Sequence, residues 1–162
     1  MRLSTKSRYG LRAMLDIAYN CGPEPVQIQD ISRRQQISPR YLEQIFQNLK
    51  RAGLLKSKRG PQGGYALSRK PDEITVLQIL NAAEQDVLLV DCAGVNPKKR
   101  KRKLECPFEG KCITQTVWAE ANSLLDTLFG SMTLHTLCQR ANSMGIVNEA
   151  AGNQVSVELQ QG

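Results

Sequence analysis

The residues of this 162-residue chain best suited to chemistry are three cysteines in one irregular stretch, Cys92, Cys106 and Cys112, separated by 13 and then 5 residues. Thiolates are soft ligands, so three of them converging in a loop suit a zinc ion or an iron–sulfur cluster. Zinc would need a fourth closing ligand, usually cysteine or histidine, and no histidine lies nearby in the sequence. The spacing therefore predicts a metal-binding segment whose fourth ligand is open.

The two remaining cysteines, Cys21 and Cys138, stand on or beside apolar helical faces, as small buried hydrophobic residues do. Five cysteines are too few for a disulfide-dense secreted scaffold, and no stretch approaches the roughly 20 consecutive apolar residues that cross a membrane. The N-terminal run Met1–Arg8 also lacks the apolar segment of a signal peptide. We therefore expect a cytoplasmic protein with no membrane partner.

The charged residues are unevenly divided along the chain, whose formal net charge is +7. Residues 1–80 carry 14 basic and 6 acidic side chains, whereas residues 81–162 carry 8 and 9, with six of those basic residues in the single run Lys98–Lys103. A strongly positive first half favours a polyanionic partner, and nucleic acid is the first candidate. An enzyme is not expected, because the chain has one histidine, His135, and no evident nucleophile beside a base.

Two helices are predicted to position the start of the basic half. Apolar residues at spacings of three and four predict a first helix over about residues 6–20, with Arg12 and Asp16 on the face opposite the apolar stripe. A glycine- and proline-rich break follows, and then a short second helix that ends before Ile37. These two helices would be separated by a tight turn.

A third helix and a basic hairpin come next. Ser38 and Pro39 are a strong helix-start signal, because the serine oxygen accepts a free amide of the first turn and proline at the first position loses no needed donor. Gly53 stands where a left-handed residue would close this helix. Two short strands around a basic turn follow, and a fourth helix is predicted after Pro71.

This order of elements is that of a winged helix-turn-helix domain, in which the third helix enters the major groove of DNA and the wing lies over a minor groove or phosphates. We predict base-edge contacts from Ser38, Arg40 and Glu43, and a minor-groove contact from Arg59 at the wing tip. A small helical adaptor with a solvated basic face is the alternative. The residues predicted to contact phosphates are Arg33, Arg34, Arg51, Lys56 and Lys58.

A long amphipathic helix is predicted after the cysteine segment, because apolar residues recur at three- and four-residue intervals between Ile113 and Leu128. The first 80 residues can close a core of their own, so the most economical partner for this stripe is the same helix of a second chain. The alternative is that the helix packs back on its own domain. A last short helix is expected near residues 131–140, and the residues from 148 onward are expected to form a mobile polar tail.

Several segments together resemble the IscR-type family of bacterial winged helix-turn-helix transcription regulators, over about residues 1–130. They are the opening Met1–Tyr9, the stretch Ser38–Phe46, the wing Arg59–Tyr65 and the three loop cysteines. The resemblance implies a homodimer with a crossed dimerisation helix and with double-stranded DNA as its partner. It also implies an iron–sulfur cluster, often [2Fe-2S], whose state alters DNA binding, and it supports Glu43 most among the base contacts.

Two features of the chain depart from that family's pattern. In the regulator of iron–sulfur assembly, a histidine three residues after the third cysteine is the fourth ligand, whereas this position is Gln115 here. Asp91, Glu105, a group of the partner chain and a small exogenous molecule are the remaining candidates. The run Lys98–Lys103 also lengthens the cluster loop, and it either contacts phosphates or is simply solvated.

The predicted fold is thus mostly helical with a small β wing. It comprises a winged helix-turn-helix domain over residues 1–82, a cysteine loop over 83–111, a dimerisation helix with a terminal helix over 112–147, and a flexible tail over 148–162. The predicted function is that of a homodimeric DNA-binding transcriptional regulator that senses iron–sulfur or redox status through the three cysteines. A thiol-switch regulator of the same fold without a cluster is the main alternative, and a scaffold that delivers clusters is a further one.

Overall fold

A computed structural model of the chain describes residues 4–84, 89–90, 106–108 and 111–146. Within these residues, six helices and one two-stranded antiparallel sheet follow one another. Cys92, the run Lys98–Lys103, the candidate ligands Asp91 and Glu105, and the predicted tail lie outside the described residues. In chain order the elements are α1 (Thr5–Asn20), α2 (Ile28–Gln35), α3 (Pro39–Arg51), β1 (Leu55–Lys58), β2 (Gly64–Leu67), a short 3-10 turn (Pro71–Glu73), α4 (Val76–Glu84), α5 (Ile113–Ser131) and α6 (Leu134–Ser143).

Serine side chains begin two of the helices. The Ser4 hydroxyl oxygen accepts hydrogen bonds from two backbone amides of the first turn of α1, at 3.1 and 3.3 Å. The Ser38 hydroxyl oxygen accepts from one backbone amide of α3, that of Tyr41, and Pro39 occupies the first helical position. Gly53 follows α3 with φ of +70°, a conformation that glycine adopts without steric cost. The predicted start and glycine stop of the third helix are therefore confirmed.

The apolar faces of α1 to α4 meet in one core. α1 packs against α2, α3 and α4, while α3 also contacts α2, α4 and β1. Burying a large apolar side chain contributes roughly 1.5–3 kcal/mol, so this shared core rather than local helix propensity holds the short helices. Its fully buried side chains include Met14, Ile17, Ile31, Phe46 and Ile79.

The wing is fixed to the rest of the domain through Tyr65 of β2. β1 and β2 pair in antiparallel register, with Lys58 opposite Gly64 near the tip. The backbone of Tyr65 exchanges two hydrogen bonds with that of Val26, at 2.8 and 2.9 Å, and its ring packs on Phe46 of α3 with the centroids 4.7 Å apart. A Cβ atom on Gly64 would lie 2.2 Å from the Val26 carbonyl oxygen, so only glycine permits this close approach.

The residues that join α5 to α6 form backbone hydrogen bonds with the first half of the chain. Backbone hydrogen bonds join the Val76 amide to the Met132 carbonyl at 2.8 Å and the Leu134 amide to the Ile74 carbonyl at 3.0 Å. From there α6 packs on α1, and Leu134 is fully buried. The terminal helix therefore shares the core of the first four helices.

The apolar stripe of α5 is exposed on the single chain. The exposed fractions are 80% for Ile113, 57% for Val117, 72% for Leu124 and 47% for Leu128. The alternative in which this stripe packs back on its own domain is therefore wrong for these four side chains. Within α5, all of which the structure describes, the one buried residue is the polar Asn122.

The mostly helical fold with a small β wing is confirmed, and the helix bounds agree with the predicted ones to within a few residues. Among the described ranges, no helix combines the length and the apolar character needed to cross a lipid bilayer.

Candidate nucleic-acid interface and cysteine segment

The exposed face of α3 carries the side chains predicted to contact bases. Arg40 and Glu43 are both exposed, because the four apolar residues of the helix are buried on its other side. Partial burial, together with the nearby Glu43 carboxylate, raises the pKa of Tyr65 in β2. Gln44 and Gln47 are also exposed, four and seven residues after Arg40 and hence on the same face. Sequence reasoning did not select these two amides, although the apolar periodicity already turned them outward.

Ser38 has a structural task in addition to its predicted base contact. It is exposed at the N-cap of α3, where its Oγ accepts from the Tyr41 amide at 3.4 Å. One lone pair of the hydroxyl oxygen is thereby used in a hydrogen bond to the first turn of the helix. The hydroxyl proton is still able to donate to a base or phosphate oxygen.

The wing extends the basic surface of α3. Lys56, Lys58 and Arg59 are exposed along β1 and the turn that follows it. Lys50, in the last turn of α3, donates from Nζ to the Ser57 Oγ of β1 at 2.7 Å. Helix and wing are therefore joined directly by a side-chain hydrogen bond.

Arg33 and Arg51 occupy the last turns of α2 and α3. Both are exposed, and a cation at a helix C-terminus stabilises the exposed carbonyls there. Their exposure is compatible with the predicted phosphate contacts.

Arg34 differs from the other predicted phosphate contacts, because its side chain is only 11% exposed. Its guanidinium donates to both carboxylate oxygens of Asp16, at 2.7–3.1 Å. Asp16 was predicted on the outer face of the first helix, but it is buried and also accepts from Asn20 at 3.1 Å and Gln35 at 2.8 Å. The Arg34 guanidinium therefore holds α2 to α1 through this ion pair, and the phosphate contact of Arg34 stays a prediction.

A second group of contacts links the first three helices. The Arg12 guanidinium donates to the Gln35 backbone carbonyl at 2.6 Å and to its side-chain oxygen at 3.2 Å, at the end of α2. The same guanidinium lies 5.5 Å from the centre of the Tyr9 ring, which packs edge-on against the Tyr41 ring of α3 at 5.9 Å. α1 thereby braces the end of α2 and the start of α3 together, a role that the sequence pattern did not reveal.

Of the three predicted metal ligands, Cys106 and Cys112 are described, and both are partly exposed. Cys112 is the N-cap residue of α5, with its Sγ 3.0 Å from the Thr114 Oγ1. Hydrogen bonding with the Thr114 hydroxyl, and then with the Gln115 backbone amide, lowers the pKa of the Cys112 thiol. A thiol inclined to ionise at a helix N-terminus is suited to bind a soft metal or to react with an oxidant.

The other two described thiols have the opposite character. Burial raises the pKa of Cys21 to about 11, although the Arg34 guanidinium 3.4 Å from its sulfur acts in the other direction. Burial also raises the pKa of Cys138. Both thiols therefore stay protonated at neutral pH, so they differ chemically from Cys112 and not only in their place along the chain.

Within the described ranges, no three or more His, Cys, Asp or Glu side chains surround a common metal position. This finding does not include Cys92, which lies outside those ranges. The donors that are described fit an iron–sulfur cluster chemically, since Cys106 and Cys112 are partly exposed and one of them has a lowered pKa.

The match to a known family covers nearly all of the described architecture. The model of the Rrf2 family, described as an iron-dependent transcriptional regulator, matches residues 3–140. The chain belongs to the Rrf2 family. It is accordingly a transcriptional regulator that binds DNA, and the IscR-type resemblance noted from its motifs is confirmed.

Curated relatives agree with this assignment. The chain is 40% identical over 137 residues to the HTH-type transcriptional regulator IscR of Aliivibrio salmonicida, covering 85% of this chain and 77% of the relative. It is 38% identical over 142 residues to protein rrf2 of Nitratidesulfovibrio vulgaris, covering 88% and 90%. The family and its IscR-named members are regulators rather than enzymes, as the sequence predicts for this chain.

Solved structures support the fold in the same way. CymR, the global cysteine regulator of B. subtilis, superposes with a TM-score of 0.69 at 31% identity, over 86% of this chain and 98% of CymR. T. potens IscR superposes with a TM-score of 0.69 at 31% identity, over 91% and 93%. The winged-helix architecture predicted for this Rrf2-family chain is therefore shared with solved regulators.

Proposed function

We propose that this Rrf2-family regulator acts as a homodimer on duplex DNA and senses iron–sulfur or redox status through Cys92, Cys106 and Cys112. The observation that carries the proposal is the position of Cys112, which is the N-cap residue of the helix that bears the exposed apolar stripe and whose thiol has a lowered pKa. A chemical change at the cysteine segment is thereby connected to the helix that we assign to dimer contacts. Similarity to IscR proteins supports the same assignment.

The proposed DNA contacts divide into those that read bases and those that position the protein. Arginine donates to guanine, glutamate accepts from the cytosine amino group, and glutamine pairs with adenine in the major groove. Arg59 enters a minor groove, where narrow A·T-rich segments concentrate negative potential. The proposed base-reading residues are Ser38, Arg40, Glu43 and Gln44, and the proposed phosphate contacts are Arg33, Arg51, Lys56 and Lys58.

Arg40→Ala and Lys56→Ala are expected to weaken DNA binding in different ways. Loss of Arg40 should cost about 1–3 kcal/mol at the operator and relax the preference at one base pair. Loss of Lys56 should weaken binding to all duplexes alike and reduce the slope of log K against log salt by about 1. The measurement is fluorescence anisotropy at several salt concentrations, on an operator selected from genomic fragments and on its single-base variants.

The matched control for both changes is Arg140→Ala, which removes a positive charge from an exposed position of α6. It should leave affinity, base preference and salt slope unchanged. Uniform weakening by Arg40→Ala, with base preferences intact, would contradict its base-reading role.

The exposed stripe of α5 is proposed to pair with the same stripe of a second chain. A contiguous apolar strip on an exposed helix face marks an interaction surface, and two-fold pairing covers the same residues on both chains. The two DNA-binding domains would then contact half-sites about one helical turn apart. The residues assigned to this surface are Ile113, Val117, Leu124 and Leu128.

Cys92, Cys106 and Cys112 are proposed to hold a [2Fe-2S] cluster. When bound, such a cluster supplies a redox-active centre and an inorganic link among three thiolates. Cys112 provides its thiolate at the start of α5, and α5 contacts α4 of the DNA-binding domain. Ordering the cysteines would therefore change the relative placement of the two recognition helices. Gln115 is a poor iron ligand, so the fourth ligand is assigned to Asp91, Glu105, a partner-chain group or a small exogenous molecule.

Protein purified anaerobically from cells with ample iron is expected to be brown. Replacing Cys92, Cys106 or Cys112 by alanine should abolish the visible absorbance, since each removes a thiolate ligand. Cys138→Ala is the matched control and should keep the colour, because burial raises the pKa of that thiol. Absorbance spectra with iron and sulfide analysis test this prediction, and Mössbauer spectroscopy identifies the cluster type. A colourless parent protein would contradict cluster binding.

A thiol switch without a cluster is a second candidate, which the lowered pKa of Cys112 specifically favours. In this scheme the Cys112 thiolate attacks hydrogen peroxide and breaks the O–O bond, giving a sulfenic acid and a hydroxide ion that takes a proton from solvent to become water. The Cys106 thiol then forms the S–S bond and releases a second water, so two thiols are oxidised while one peroxide is reduced. Peptide mass spectrometry after peroxide treatment distinguishes the two candidates by a Cys106–Cys112 linkage in protein that never carried iron.

A further inference from the structure

α5 buries a single residue, and this residue is polar. Asn122 is 5% exposed, whereas the apolar side chains on the opposite face of the same helix are exposed. A buried amide that is not fully hydrogen-bonded destabilises a fold, so packing alone does not account for asparagine at this position. The contacts of the amide show what else it does.

The Asn122 amide makes one hydrogen bond and leaves one donor unused. Its Oδ1 accepts from the Leu89 backbone amide at 3.0 Å. Its buried Nδ2 has no hydrogen-bond partner among the described residues. Among the described residues, the Asn122 side chain thus hydrogen-bonds to one group, the backbone amide of Leu89 in the short segment 89–90.

This hydrogen bond connects the two ends of the cysteine segment. Leu89 lies three residues before Cys92, and Asn122 lies ten residues after Cys112 in sequence. Ten residues of helix extend about 15 Å, so this hydrogen bond lies about 15 Å along α5 from Cys112, the N-cap residue of the helix. It ties the backbone that leads into the segment to the helix that leads out of it.

We propose that Asn122 is a positioning residue that couples the cysteine segment to α5 by holding the backbone at Leu89. A displacement of α5 is then transmitted to the chain that precedes Cys92, and a change at Cys92 is transmitted to the dimer surface on the same helix. The inference rests on the proposed sensing role of the cysteines for its biological meaning. The hydrogen bond itself does not depend on what the cysteines bind.

The test uses the full-length, reduced protein without a cluster. Two rates are measured by mass spectrometry: hydrogen exchange at the Leu89 amide and alkylation of Cys92 by iodoacetamide. Asn122→Leu keeps the number of side-chain heavy atoms but removes the acceptor, so exchange at Leu89 should become about tenfold faster and alkylation of Cys92 at least about threefold faster. Ser123→Ala, at the exposed neighbouring position, should retain both parent rates.

An unchanged rate at either Leu89 or Cys92 in folded Asn122→Leu overturns the proposal, and so does equal acceleration by Ser123→Ala. If leucine does not fit at this position, Asn122→Ala is used in its place. Thermal unfolding shows that each variant is folded. A colourless protein would overturn cluster sensing while leaving both rates interpretable. Parent-like rates would overturn the coupling while leaving cluster binding intact.

Discussion

Replacing Asp16 by alanine is expected to lower the free energy of unfolding by about 3–5 kcal/mol, because the change leaves a buried guanidinium without its counter-charge. Asp16 is 3% exposed, and its carboxylate accepts hydrogen bonds from Arg34 and Gln35 of α2 and from Asn20 of α1. Its removal therefore leaves hydrogen-bond donors of both α1 and α2 without their acceptor. An exposed ion pair would not have this effect, since such pairs contribute only about 0–1 kcal/mol.

Urea unfolding followed by circular dichroism measures this loss. Asp126→Ala removes an exposed carboxylate from α5 and is the matched control, expected to change stability by less than about 0.5 kcal/mol. In a double-mutant cycle, Asp16→Ala combined with Arg34→Met should be less destabilised than the sum of the two single changes, because neither charge is then left alone. A loss below about 1 kcal/mol for Asp16→Ala would contradict the role assigned to the pair.

Leu124→Asp is expected to turn the proposed homodimer into monomers and to weaken binding to a two-half-site operator by about 100-fold or more. Leu124 is 72% exposed and lies within the apolar stripe of α5. Two-fold symmetry would place the new carboxylate in the interface twice, where it loses its hydration and gains no counter-charge. A monomer also loses the second half-site, whose effective concentration normally strengthens binding by about 10²–10⁴-fold.

Light scattering coupled to size-exclusion chromatography measures the oligomeric state of this variant, and anisotropy titration measures its operator affinity. Gln139→Asp adds the same charge to an exposed position of α6 and should remain dimeric with parent-like affinity. If the Leu124→Asp protein stayed dimeric, the stripe would not be the dimer surface. If it became monomeric yet bound the operator as tightly as the parent, dimerisation would not contribute to DNA binding.

Local structure in this chain is predictable because its signals act over a few residues. A serine followed by proline begins α3, and Gly53 at φ of +70° ends it, so three residues determine the bounds of the recognition helix. The strands of the wing follow from short apolar runs around a glycine-rich turn, and Gly64 is needed where Val26 approaches the backbone. That approach involves a residue 38 positions away, which no local pattern indicates.

Charged residues were predicted less well, because helical periodicity treats each of them as exposed. Asp16 is opposite the apolar stripe of α1, yet α2 covers it and supplies Arg34 as its partner. The same packing makes Arg12, although it stays exposed, a brace between the end of α2 and Tyr9. Only the arrangement of the helices decides which charges face DNA and which hold the helices together.

Residue types and their order were enough to establish the winged-helix class, the basic character of its first half, the cysteine-bearing segment and the long amphipathic helix, since each depends on contacts near in sequence. Tertiary structure alone shows that the stripe of α5 is uncovered, that the Cys112 thiol has a lowered pKa, and that Asn122 holds the Leu89 amide. Exposure, pKa and hydrogen bonding depend on atoms that folding brings together from distant parts of the chain, so composition and spacing do not contain them.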